Sequence, residues 1–453
     1  MPTLMNIKGF SLVSVFIIIF ILMTILLAAL NFALKRKVYI KRDIDTMRAS
    51  CLAEAGMNRF LYVINRDRLG LQDVLGLELE KVVSPDEKYR VENALLGGYI
   101  LVKSSGVAGS RTVTRKALVG LLPGPEGNAA IINSSHEHPL VIAGRTIVNG
   151  AVYVASGKLM AGSIEGEIYA RENLINGEIV QYHPDDILRF DENEYFDFFD
   201  PPNYGTRQPA RFFPGNLTLG EDNMNLIESP VLSVENNLEI SSVALDIGGQ
   251  GASIVAGGNI EITGDCRLYG LLRIETAQSI TIRNDSKLVG VTLVAGDSII
   301  FRDRVLFSGQ AVSRRAIRVT GGTRIRYPSL LMINSDEKAE TGIIEFLDSA
   351  IAGVIAVNDC GCTIPESFCE TILVDSGSLV QGAIICRAGT QLKGILHGFV
   401  LTEYFRLKRE PITYINWLEN AVIDRHKLGF LPVLPAIFNN YGEYAIFRLY
   451  EEI

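Results

Sequence analysis

Residues 10–34 read FSLVSVFIIIFILMTILLAALNFAL, a run without a single charged side chain. At ~1.5 Å of rise per residue, a helix of that length covers roughly 37 Å, more than the about 30 Å of a bilayer's hydrocarbon core. A secretory h-region is shorter, about 7–15 residues. The run therefore predicts a transmembrane helix that anchors, or serves as the stem of, everything behind it.

That remainder is most of a 453-residue chain with net charge −8. The acidic balance argues against nucleic acid as a partner, since such binding needs a basic footprint. At 48% hydrophobic residues there is ample material for a large core. Residues 35–69 continue the helical pattern as a stem: Ile44, Met47, Cys51 and Ala55 recur on one helical face. Residues 70–123 read as a small antiparallel sheet. Glycine pairs punctuate β-branched runs such as Gly98-Tyr99-Ile100-Leu101-Val102 and Arg111-Thr112-Val113-Thr114.

Ahead of the apolar run sits a short polar leader, residues 1–9, ending Lys8-Gly9-Phe10-Ser11-Leu12. This resembles the leader of type IV prepilins and pseudopilins. The resemblance implies cleavage between Gly9 and Phe10 by the prepilin peptidase, and association with other pilin-like subunits. The run Leu52-Ala53-Glu54-Ala55-Gly56 resembles the corresponding stretch of PilX-type minor pilin-like proteins, a likeness that covers residues 8–122. Pilins usually carry Glu at mature position five, where this chain has Ser14. An unpaired intramembrane carboxylate is costly, so pilins pair it with a neighbour's amine. Ser14 cannot make that pair, which argues against an ordinary shaft subunit and for a minor or tip position. Lys35, Arg36, Lys37, Lys41 and Arg42 follow the helix, while Lys8 alone precedes it. The positive-inside rule alone would leave the C-terminal bulk in the cytoplasm. The leader implies the opposite: a single-pass inner-membrane protein with its bulk periplasmic or extracellular.

Residues 124–139 read as a linker, and His136 and His138 as solvated loop residues. From residue 140 to 400 the pattern becomes a solenoid, interrupted by an acidic, aromatic insertion at 182–234. Ile260, Leu268 and Gly270 recur as Ile280, Leu288, Gly290 and as Ile299, Phe307, Gly309, in units of about 20 residues. The same spacing is met at Ile343, Ile351, Gly353; at Ile372, Val380, Gly382; and at Ile384, Leu392, Gly394. Coils of this length predict a right-handed parallel β-helix, with apolar ladders inside and glycine at the corners. About eight coils between 236 and 398 would make a rod of roughly 40 Å. The N-terminal sheet and linker are expected to cap one end, and residues 401–453, with a short helix at 412–425 and Trp417 as packing anchor, the other. The fold class is thus mainly β with an N-terminal α-helical stem. The solenoid also resembles bactofilin-type polymer-forming β-helices.

Chemistry is sparse. Cys360, Cys362, Cys369 and Cys386 form a cluster compatible with packed thiols, disulfides or a metal site. Asp191, Asn193, Tyr195 and Asp197 alternate like a calcium loop, but Phe196 replaces its Gly and Pro202 its Glu. Asp265 and Asp285 occupy equivalent positions in successive units, as a paired-carboxylate site would require. The third unit has Arg304 there, with Asp303 one place earlier, and turn-stacked Asx residues explain Asp265 and Asp285 equally well. No nucleotide, metalloprotease or serine-hydrolase motif is present. The reading is a non-catalytic, cofactor-free, pilin-like structural protein presenting a β-helix. The alternatives are a cytoplasmic bactofilin-like scaffold and a surface protein that binds or degrades polysaccharide.

Overall fold

The structure is a computed structural model describing residues 7–169, 171, 173–183, 211–223, 231–248, 251–334, 342–358, 370–436, 438 and 443–451. The chain combines a long N-terminal helix, a small antiparallel sheet and a large parallel sheet wound as a β-helix. Helix α1 runs unbroken through Ile7–Asp67. It stops where Arg68 turns left-handed (φ 48°), just before Gly70. The five-residue helix α2 (Leu71–Leu75) leads into β1 (Leu79–Ser84), β2 (Glu87–Leu96), β3 (Tyr99–Ala108) and β4 (Arg111–Leu121). The sheet order is β1-β2-β3-β4 followed by the strand Tyr444–Glu451. Two compact units divide these elements: residues 1–60, 78–91 and 104–115 form one, and residues 61–77, 92–103 and 116–453 the other.

In the first unit the C-terminal half of the stem packs on strands through small residues. Ala49, Ala53 and Gly56 are buried there, and the bulkier Met57 and Phe60 are buried further along the helix. The Ser104 hydroxyl donates to the Ala53 carbonyl at 2.6 Å. At Gly106 a side chain would run into the Ala49 carbonyl, so only glycine lets the strand lie this close to the helix. The buried stripe is therefore not the expected one. Ile44, Met47, Cys51 and Ala55 are all exposed. Backbone proximity, rather than side-chain bulk, selects the contacting face, and the small side chains one step round the helix permit it.

In the second unit the solenoid has three sheet faces. On one, Ile260, Ile280 and Ile299 are Cα partners, and Ile317, Ile344 and Ile372 continue the ladder. On another, Leu268, Leu288 and Phe307 stack, followed by Ile325, Ala352 and Val380. All of these point inward and are buried. The expected unit at 343/351/353 is thus displaced by one residue. Ile344 and Ala352 carry the ladder, and Ile351 is 39% exposed. With a period of two, that single step exchanges inside for outside. The 384/392/394 match is accidental, because Ile384 pairs with Ala356 and Val400 on the third face. Gly270 (φ 99°) and Gly290 (φ 82°) turn successive corners as expected. Gly309 has no positive φ; there a side chain would strike the Val291 carbonyl.

The third face fixes the order of the coils. It runs from Arg211–Phe213 through Val231–Val234, Ala252–Ala256 and Leu272–Thr276 up to the middle of Ile395–Arg409. The next strand on the stack is not further along the chain. It is Ala129–Asn133, followed by Ala151–Val154 and then Ile179–Gln181. Coils early in the chain thus lie on top of the late ones. Gln181 ends at one end of the stack and Arg211 begins at the other. About a dozen steps of ~4.8 Å separate them, roughly 60 Å.

Several boundaries change accordingly. The expected linker at 124–139 contains the coil strand Ala129–Asn133. The insertion at 182–234 contains coil strands Arg211–Phe213, Leu217–Leu219 and Val231–Val234. Residues 401–425 continue the solenoid, with an antiparallel hairpin at 406–415, rather than capping it: Ile412–Ile415, Trp417–Glu419 and Val422–Asp424 are strands, and no helix forms at 412–425. Asn416 (φ 61°) and Asn420 (φ 56°) end strands every few residues, which excludes a helix. The part of the antiparallel sheet in this unit lies on the solenoid's flank rather than on its end. Gln310 on the third face donates to the Leu96 carbonyl (3.1 Å) and accepts from the Gly98 amide (3.0 Å). Tyr99 stacks on Phe447 with ring centroids 3.9 Å apart.

Candidate functional site

The stem carries the first candidate site. The segment Val13–Asp67 contains an 18-residue window of mean hydropathy 3.1, none of it buried in the protein. Val13, Phe16, Ile17, Phe20, Leu26 and Phe32 are each at least half exposed. In water such a surface would be strongly unfavourable, and a bilayer or a bundle of like helices removes the cost. Gly9 and Phe10 lie within the backbone of α1, and Ser14 is half-buried on it.

The two candidate carboxylates, Asp265 and Asp285, are each held by an arginine. Asp265 is held by Arg267 at 2.6 Å, and that guanidinium keeps its carboxyl below the usual carboxylate range. Asp285 is held by Arg304 at 2.8 Å. A general acid needs a raised pKa, and the Asp265 shift runs the other way. The backbone explains the positions. Asn284, Asp285, Asp303 and Arg304 are all left-handed (φ 59–65°), and Asp285 N–H donates to the Asp303 carbonyl of the next coil. They are stacked turns, which Asn and Asp tolerate better than most residues.

Of the cysteine cluster, Cys360, Cys362 and Cys369 lie outside the described residues, as do Asp191, Asn193, Tyr195 and Asp197 of the calcium-like loop. Cys386 is a free, fully buried thiol 2.6 Å from the Thr371 hydroxyl, and burial pushes its pKa up to about 11. Cys266 is likewise buried, with its thiol pKa raised by burial. Cys51 is exposed on the stem. No group of His, Cys, Asp and Glu fit to hold a metal ion occurs among the described residues. The His138 carbonyl, rather than its ring, has a structural role described next.

A dense polar constellation lies where the early coils meet the late ones. The inward ladders run through this seam: Val400 partners Ile131, Leu418 partners Ile142 and Ile423 partners Val148. Around them sits a hydrogen-bonded network. The amides of Asn133 and Asn416, both fully buried, bond reciprocally at 2.9 and 3.0 Å. Their remaining N–H groups donate to the carbonyls of Glu403 (3.0 Å) and His138 (2.8 Å), which satisfies every amide hydrogen. Asp424 accepts from Asn149 (2.8 Å), and Asn149 accepts from Asn176 (2.8 Å), forming a short ladder over three coils. Arg425 is buried and donates to the carbonyls of Gly127 (2.7 Å) and Leu428 (2.8 Å). Sequence reasoning missed this network. The signal available was the repeated apolar-Asn-Gly at 148–150 and 175–177. It marks a coil ladder but does not identify the late-chain partner.

The class of protein defined by these features is a helical stem with an exposed apolar surface carrying a parallel β-helix. No protein-family model matches the chain, and no curated protein matches it. Among solved structures it is similar to the competence-associated pilin ComZ from Thermus thermophilus. The identity is 11%, covering 90% of this chain and 98% of that one, with a TM-score of 0.21, too low to support an argument about fold or role.

Proposed function

We propose that this chain is a non-catalytic, membrane-anchored, pilin-like structural protein that presents a β-helix outside the cytoplasmic membrane, as a minor or tip subunit of a type IV pilus or type II secretion-like filament. The observation that carries the reading is the unburied apolar surface of α1 directly behind Lys8-Gly9-Phe10. A helix so exposed requires lipid or like helices around it. Its partners are then the inner membrane, the prepilin peptidase and other pilin-like subunits. Ser14 supports a tip position over the shaft, because it offers no carboxylate to a neighbour's N-terminal amine. N-terminal sequencing of protein extracted from membranes tests the reading: a mature end at Phe10 supports it, and an intact Met1 overturns it.

One observation favours a second reading. The cations Lys35, Arg36, Lys37, Lys41 and Arg42 follow the span. They suit a scaffold whose β-helix stays in the cytoplasm. Protease added to spheroplasts separates the two, since only an external solenoid is digested or shifted in mass.

A further inference from the structure

We infer that residues 129–181 form a docking module that completes the β-helix in cis, and that the polar seam beneath it is a latch through which the module releases as a unit while the ladder from 211 to 425 stays wound. In every coil from Ala252 to Ile333 the chain passes directly into the next coil, so no coil there can leave its neighbour without unwinding. The seam is different. The coil that ends at Asp424 and the coil that begins at Ala129 have no short covalent connection. They are held together by parallel pairing, by three inward apolar contacts and by side-chain hydrogen bonds.

Those hydrogen bonds set the docking register. Asn133 and Asn416 satisfy each other only when Thr402 lies opposite Asn133, and the Asp424–Asn149 bond requires Asp424 opposite Asn149. A shift by one residue would bury amides without partners, a costly outcome in a dry interior. Arg425 adds a second constraint by tying Gly127, just ahead of the first module strand, to the chain at Leu428. Polar seams of this kind select one alignment, and their pairing is lost as a set rather than gradually.

Hydrogen–deuterium exchange on the full chain in detergent tests the inference. In the wild type, the amides of 131–154 exchange together and faster than those of the ladder at 260–319. Asn416→Leu is expected to speed exchange of 131–154 at least tenfold and leave 260–319 unchanged. Equal acceleration of both segments, or of neither, overturns the latch. A second variant guards against simple misfolding. Ile132 and Leu401 are Cα partners across the seam. The pair Ile132→Cys and Leu401→Cys should therefore form a disulfide within one chain and restore slow exchange in the Asn416→Leu background. A disulfide between chains overturns docking in cis, and failure to form one overturns the register.

Discussion

Asn416 shows how much one side chain settles in this protein. Its amide closes a circuit with Asn133, and its own backbone sits in the left-handed region that ends a strand. Arg425 plays a comparable role by donating to backbone carbonyls. Arg425→Ala should leave those buried carbonyls unpaired and cost about 2–3 kcal/mol, read as a lowered denaturant midpoint at unchanged slope. Asp424 gives a pH dependence. Burial pushes its carboxyl up, but hydrogen bonds from Asn149 and from the Lys427 and His426 amides outweigh burial, and the net shift is downward. A depressed native pKa contributes stability that is full above the unfolded value, near 3.9, and is lost as pH falls through the native one. Acid titration followed by exchange should therefore loosen Asn149 and its neighbours below about pH 4, and Asp424→Asn should remove that component. The thiols differ as their surroundings dictate. Brief alkylation of the native protein should label Cys51 and spare Cys266 and Cys386, as read by mass spectrometry.

The elements show where pattern reading works and where it stops. The unbroken α1 and the first three solenoid units were legible because their periodicities are long and regular: 3.6 residues in the helix, about 20 in the coils. The fourth unit misled because Ile343 and Ile351 are as apolar as Ile344 and Ala352, and only stacking on Ile317 and Ile325 decides between them. The distinction is measurable. Ile344→Ala should cost about 2–4 kcal/mol by opening a cavity, whereas Ile351→Ala, at a position 39% exposed, should cost about 1 kcal/mol or less. The stem misled in the same way. Small residues Ala49, Ala53 and Gly56 sit against strands while the bulkier Ile44 and Met47 face outward. Hydrophobicity ranks side chains by size, and a contact governed by how closely two backbones approach reverses that ranking. Asp285 occupies a left-handed turn, a requirement that is local in the chain, whereas the seam was not legible, since its halves lie some 270 residues apart.

At the scale of the whole molecule, the solenoid is a stack whose spatial order is a rotation of its sequence order. Removing residues 399–453 would take away the strands on which 129–181 rest, although the truncation lies far from them in the chain. Such a protein should retain the ladder at 260–319 but expose the amides of 131–154, which exchange mapping would show against the full chain. Seen from the ribosome, the same arrangement has a further consequence. The coils at 129–161 emerge well before their platform at 395–425. Until that platform is made, those first coils have nothing to rest on, and a chain terminated ahead of it never supplies it. Closure of the β-helix therefore reports that synthesis has passed residue 425, and chains stopped short of it are left with an open strand edge for chaperones and proteases to recognise.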